Sequence, residues 1–134
     1  MVEVVNHQRR LKLDTEAWST FADQALDAIG KSKSSATIAF VSDKRILALN
    51  RQFRGVDKTT DVLSFPAEEK LNLGDVAVSV DTAAVQAKEN GLTLDGEIAQ
   101  LILHGLLHLC GYDHETDNGE MNRLELKLRR KLGI

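Results

Sequence analysis

Three of the chain's four histidines fall in one short stretch, "HGLLHLCGYDH", from His104 to His114. If the stretch is helical up to its glycine, His104 and His108 stand about 6 Å apart along the axis and roughly 40° apart around it, so two imidazoles can aim at one ion. Gly111 then breaks the helix with a positive φ and lets the chain swing His114 back toward the same point. Three neutral imidazoles suit Zn²⁺, and Ni²⁺ or another late transition metal fits the same donors. The missing fourth protein ligand leaves a position open for chemistry. A metal held this way lowers the pKa of bound water toward neutrality, polarises a phosphoryl oxygen, or does both. One histidine on an apolar helix is ordinarily a hydrogen-bonded core residue; three at this spacing beside a glycine are expected to bind metal.

Two neighbours of these ligands bear on the chemistry. Cys110 lies two residues beyond His108 and so points about 200° around the helix, which makes it a buried small hydrophobe rather than a fourth ligand. As the only cysteine it also excludes an intramolecular disulfide. The spacing H-x-x-x-H-x-x-G-x-x-H is similar to that of the metzincin proteases, which carry a glutamate general base after the first histidine. Here that position is Gly105, which cannot take a proton, and peptide hydrolysis by that route is not expected.

The elements that must position these residues are legible from periodicity and breakers. "VEVVN" and "ATIAFVS" read as strands. Between them Trp18, Phe21, Ala22, Ala25, Leu26 and Ile29 recur at helical spacing, with Asp14 or Thr15 as cap and Gly30 as stop. A second helix is predicted from Asp43 to about Arg51. "DVLSFP" and "GDVAVSV" are strand-like and joined by a short connection, and Pro66 marks an edge or a strand end. A further helix runs from Asp81, its expected cap, to Asn90, with Gly91 beyond its end. The segment from Gly96 to Cys110 is the most apolar helix and is predicted to be the buried central one. A last helix from about Asp117 puts Met121, Leu124, Leu128 and Leu132 on one face. The mixture predicts an α+β fold, with the order of strands left open.

The chain's 134 residues and its composition, 43% hydrophobic and 28% charged, predict a single globular domain spanning 1–134. The formal charge of −3 argues against the broad basic footprint of a non-specific nucleic-acid binder. It leaves room for a local basic site: Arg9 and Arg10, the group Arg51, Arg54 and Lys58, or the run Lys127, Arg129, Arg130, Lys131, which reads best as a solvated helix face. The N-terminal residues lack the charged start and apolar run of a signal peptide, and no apolar stretch is long enough to span a bilayer. A soluble, cytoplasmic protein without a membrane partner is expected.

The histidine stretch, together with "FRGVDKTTDVLSFP" and "LGDVAVSVDTAAVQAKENG", resembles the YbeY family of bacterial endoribonucleases, from about Leu49 onward. The resemblance implies a single zincin-like α+β domain, a mixed β-sheet with several helices and the metal site on a central helix. It implies one zinc held by His104, His108 and His114, and cleavage of single-stranded RNA in the processing of the 3′ end of 16S ribosomal RNA and in ribosome quality control. The partners it implies are ribosomal RNA, the small ribosomal subunit and its associated proteins, with no DNA.

The family's arginine carries over to Arg54, where a guanidinium would pair in fork geometry with the charge that builds on phosphate oxygens during cleavage. The plain alternative is a surface ion pair with a nearby aspartate. Lys58 is a further candidate for phosphate contact. Asp113 is either a base or the carboxylate that holds an imidazole in the right tautomer. Ser64, with Asp61, belongs to the strand block beside the cleft and positions either substrate or structure, while Met121 reads as core. Two other functions fit the same residues: a metal-dependent hydrolase of another substrate, and a ribosome-associated binding protein whose metal is structural.

Overall fold

Asp14 and Gly30 bracket the first helix as the sequence predicts: the aspartate side chain accepts the N–H of Ala17, and the glycine closes the helix at φ 90°. The computed structural model describes residues 1–134. Its elements in chain order are β1 (Val2–Asn6), α1 (Thr15–Ile29), β2 (Ser35–Val41), α2 (Asp43–Arg54), β3 (Val62–Pro66), β4 (Asn72–Ser79), α3 (Val80–Glu89), α4 (Leu94–Leu109) and α5 (Glu120–Leu132). The fold is α+β. Its sheet runs β1-β2-β4-β3, with β1, β2 and β4 parallel and β3 antiparallel to β4. Pro66 ends β3, an edge strand, where its missing N–H costs no ladder bond on the open side.

Four helix boundaries differ from those expected, each for a local reason. Helix α5 starts at Glu120 rather than about Asp117, whose carboxylate takes the Gly119 and Met121 N–H groups. Helix α3 is capped by Ser79 rather than Asp81: the Ser79 hydroxyl accepts from Thr82 N, while the Asp81 carboxylate is occupied by the Asp43 N–H and the Arg10 guanidinium, both at 2.9 Å. Helix α4 begins two residues before Gly96, because Thr93 accepts the Gly96 N–H at 3.0 Å. Helix α2 continues to Arg54 and stops only where Gly55 turns left-handed at φ 66°. Arg54 is therefore fixed on the last turn of a helix.

Alternation along the strands sends neighbouring residues to opposite faces of the sheet. Ile38, Phe40, Val76 and Val78 join the large core with α1, α4 and α5, whereas Val41, Leu63 and Ala77 form a small cluster with Ile46 of α2. Helix α4 is the central helix, with Ile98, Ile102, Leu103, Leu106 and Leu107 fully buried. Each such side chain contributes about 1.5–3 kcal/mol by leaving water. Helix α4 rests on β3 and β4 through Gly105, where a Cβ would stand 2.6 Å from Val76 Cγ1 and 3.3 Å from Val62 Cγ2. The Ser64 hydroxyl donates to the Gly105 carbonyl at 3.1 Å and pins the helix to the edge strand.

Candidate metal centre

Helix α4 carries His104 and His108 one turn apart on the face that is not fully covered. After Leu109 the chain closes with Gly111 N–H donating to the His108 carbonyl and Tyr112 N–H to the Leu107 carbonyl, and Gly111 adopts φ 95°. That turn returns His114 to the helix. The ligand atoms of His104, His108 and His114 lie within 4.8 Å of one another, and Nε2 of His104 stands 3.1 Å from Nε2 of His108. Tetrahedral ligands at about 2.0–2.1 Å from a zinc ion lie roughly 3.3 Å apart, so the pair on α4 already has ligand spacing. The donors fit a late transition metal: three imidazoles converge, and Cys110, which is half-buried, is not in the group. Burial raises the Cys110 thiol's pKa, against a smaller opposing pull from Lys31.

The residue that sequence reasoning missed is Glu125. It is 7% exposed on α5, with one carboxylate oxygen accepting from Nδ1 of His104 at 2.7 Å and the other from Nη2 of Arg129 at 3.2 Å. This bond puts the proton on Nδ1 and leaves the Nε2 lone pair facing the other imidazoles. Burial pushes the Glu125 carboxyl up, but the His104 hydrogen bond and the charges of His104, Arg129 and His108 outweigh it and leave the pKa below its ordinary value. A signal was present in the sequence. Glu125 falls four residues after Met121 and three before Leu128, a carboxylate on the apolar stripe of its helix, where only a paired charge is tolerated.

Burial, then the charges of His104 and His114, lower the pKa of His108, against the opposing influence of the Tyr112 backbone and Asp113. The ring is thereby kept neutral, the form that ligates a metal.

A cleft of about 510 Å³ opens above the imidazoles, and Arg54, Asp61, Ser64 and Asp113 line it with them. Arg54 is exposed and makes no ion pair; the aspartate pair of this block is made by Arg51 with Asp57. Asp113 is exposed, and its Oδ1 accepts the Glu115 N–H at 3.0 Å within the turn, so the carboxylate seen holding an imidazole is Glu125. Lys58 is exposed and not among the lining residues; its carbonyl accepts from Asn50 Nδ2 at 2.8 Å. Met121 is buried in the core at 1% exposure. No helix is long and apolar enough to cross a membrane.

Comparison with known proteins gives this centre a context. The chain is 52% identical over 99 residues to endoribonuclease YbeY of Nautilia profundicola, covering 72% of this chain and 71% of that one. It is 47% identical over 119 residues to the Koribacter versatilis protein of the same name, covering 89% and 78%, and 41% identical over 130 residues to that of Nitratiruptor sp., covering 96% and 86%. A Thermotoga maritima protein solved in solution superposes with a TM-score of 0.70 at 28% identity, over 98% of this chain and 89% of that one. The model of the family described as endoribonuclease YbeY matches residues 3–133. With its histidine centre, its fold and its relatives in agreement, the chain belongs to the endoribonuclease YbeY family.

Proposed function

We propose that this chain, acting as one domain over 1–134, is a zinc-dependent, single-strand-specific endoribonuclease of the cytoplasm. Its substrate in this reading is ribosomal RNA, at the 3′ end of 16S rRNA during small-subunit maturation and quality control. The observation that carries the reading is the convergence of three imidazoles in a cleft whose rim holds an unpaired arginine.

His104, His108 and His114 would hold the metal, which when bound supplies a Lewis acid beside the phosphodiester. The chain's own residues do the rest. Glu125 keeps the proton of His104 on Nδ1 and fixes the ring's orientation. Arg54, free of an intramolecular ion pair, offers its guanidinium fork to the non-bridging phosphate oxygens, where charge builds as the bond breaks. Asp113 has its Oδ1 engaged by Glu115 and its other oxygen available; at Oδ2 it takes a proton from the attacking water and gives it up to the sugar oxygen that leaves as the phosphodiester bond breaks. Ser64 sets the wall of the cleft by holding β3 against α4, and Lys58, outside the cleft, meets the RNA backbone farther along the strand.

The test is cleavage of a single-stranded ribosomal RNA fragment by protein of verified metal content, beside Arg54→Ala and His108→Ala. Cleavage by the parent, lost in both variants while each stays folded, is the expected result. Equal cutting by all three preparations would identify a contaminant. No cutting by zinc-loaded protein would leave a hydrolase of some other substrate. With a net charge of −3, binding to naked RNA is expected to be weak and to fall steeply with salt.

A further inference from the structure

Behind the metal cleft a second cavity, of about 650 Å³, opens between α3, α4 and α5, and Asp61 and His104 line both. Its wall is built around Glu97, which is 4% exposed. With the Gln86 amide oriented to satisfy its neighbours, its nitrogen donates to Glu97 Oε1 at 3.1 Å and to Asp61 Oδ2 at 3.2 Å. Asn90 Nδ2 donates to the two Glu97 oxygens at 3.4 and 3.3 Å. The carboxylate is thus held in place by neutral amides, with its charge left uncancelled. On the α5 side, Arg129 also lines the cavity, and its Nε–H is buried without a hydrogen-bond partner.

Several occupants are excluded by this lining. Four carboxylates, those of Asp61, Glu89, Glu97 and Glu125, face one guanidinium, which repels a phosphate. The carboxylate oxygens do not converge as the three imidazoles do, so no second metal group forms. Leu92 and Leu101 are the only hydrophobic lining residues, too few for an apolar ligand. What fits is a flat polar ring that gives N–H donors to a carboxylate and acceptors to an amide or a guanidinium.

We infer that this cavity is a guanine subsite, taking the base of a nucleotide next to the phosphate held in the metal cleft; the inference rests on the nuclease reading above. Single-stranded RNA presents unstacked bases whose Watson–Crick edges a protein can read. Among the four bases only guanine offers two adjacent donors, N1–H and N2–H, to a carboxylate fork, while its O6 and N7 accept. Glu97 is the acceptor for that edge: its bonds from Asn90, at 3.4 and 3.3 Å, are long and neutral and give way to the two donors of the base, whereas Glu125 is committed to His104 at 2.7 Å and to the charged Arg129. The Gln100 amide and the part of the Arg129 guanidinium that is exposed are the donors within the lining for O6 and N7.

The deciding experiment is a titration of the whole protein with free nucleosides, read from the side-chain amide NMR signals of Gln86, Asn90 and Gln100. Guanosine is expected to shift them at a concentration roughly tenfold below that needed for adenosine, cytidine or uridine, with inosine, which lacks the N2 amino group, falling between. Glu97→Gln should bring guanosine down to the inosine level. Gln100→Ala, which leaves the Glu97 hydrogen bonds intact, should weaken guanosine on its own and carries the test if Glu97→Gln does not fold. Signals that ignore all nucleosides, or respond equally to all, overturn the subsite, as does an undiminished guanosine preference in a folded variant. Nucleosides contain no phosphodiester, so the two readings fail separately. RNA cleavage without guanosine preference removes only the subsite, and guanosine preference without RNA cleavage removes the nuclease.

Discussion

The metal centre has a rigid half and an open half. His104 and His108 stand on the most deeply buried helix, backed by a carboxylate from α5, while His114 and Asp113 stand on an exposed turn and Arg54 on an exposed helix end. The difference separates two tasks. The buried half fixes donor geometry without needing a ligand to organise it, and the exposed half presents charge to a long polymer that must enter and leave. A substitution in the first half should register as lost metal or lost stability, and one at Arg54 or Asp113 in the second as lost turnover in a protein that still folds and still binds metal; His114 belongs to the open half by position but to the ligand set by chemistry.

The largest effect expected is that of His108→Ala, which should weaken metal binding by more than about 100-fold, beyond the usual cost of removing an outer carboxylate, as measured by competition with a chromogenic chelator. Next is Glu125→Ala. It frees the Nδ1 proton of His104 and strands Arg129, and should lower metal affinity by about 10–100-fold, with a loss of thermal stability that Arg54→Ala does not share. If Glu125→Ala left metal affinity unchanged, the division into halves would collapse. Gly105→Ala should cost about 1–3 kcal/mol in urea unfolding, because Val76 and Val62 must move aside for the new methyl group. Ser64→Ala should cost roughly 1 kcal/mol by the same measurement, through the lost bond to the Gly105 carbonyl.

The smallest effect concerns pH. The N–H groups of Met121 and Gly119 hold the Asp117 carboxyl below the ordinary aspartate value of 3.8. A carboxyl depressed in the folded state contributes stability that is present above that value and is lost as pH falls through the folded one. Asp117→Asn should therefore lower stability slightly at neutral pH and flatten the acid limb of unfolding below about pH 4, where its difference from the parent disappears.

Much of the rigid half was legible in the sequence. The spacing of the histidines, Gly111 as breaker and the apolar segment from Gly96 to Cys110 belong to one helix and one turn, so local periodicity predicts them. Glu125 was not found because its meaning depends on how α5 packs against α4, twenty-one residues away from the ring it holds. Arg54 was noticed by resemblance, yet its place at the end of a helix that reaches the rim of the cleft required the fold, since α2 packs its apolar residues on the other face of the sheet. The role expected of Asp81 as a cap fell to Ser79 for a similar reason: distant partners, Asp43 and Arg10, claim its carboxylate.

The tie between His104 and Glu125 also orders events in time. Helix α5 lies C-terminal to α4, so during synthesis all three imidazoles emerge before the carboxylate that sets the tautomer of the first. Until α5 docks, His104 has no partner on Nδ1 and the metal site lacks its support. The metal site is therefore complete only when α5 is docked against α4. A molecule whose last helix is undocked keeps all three imidazoles but not the carboxylate that orients the first, so retention of the ion is expected to report on whether that helix is in place.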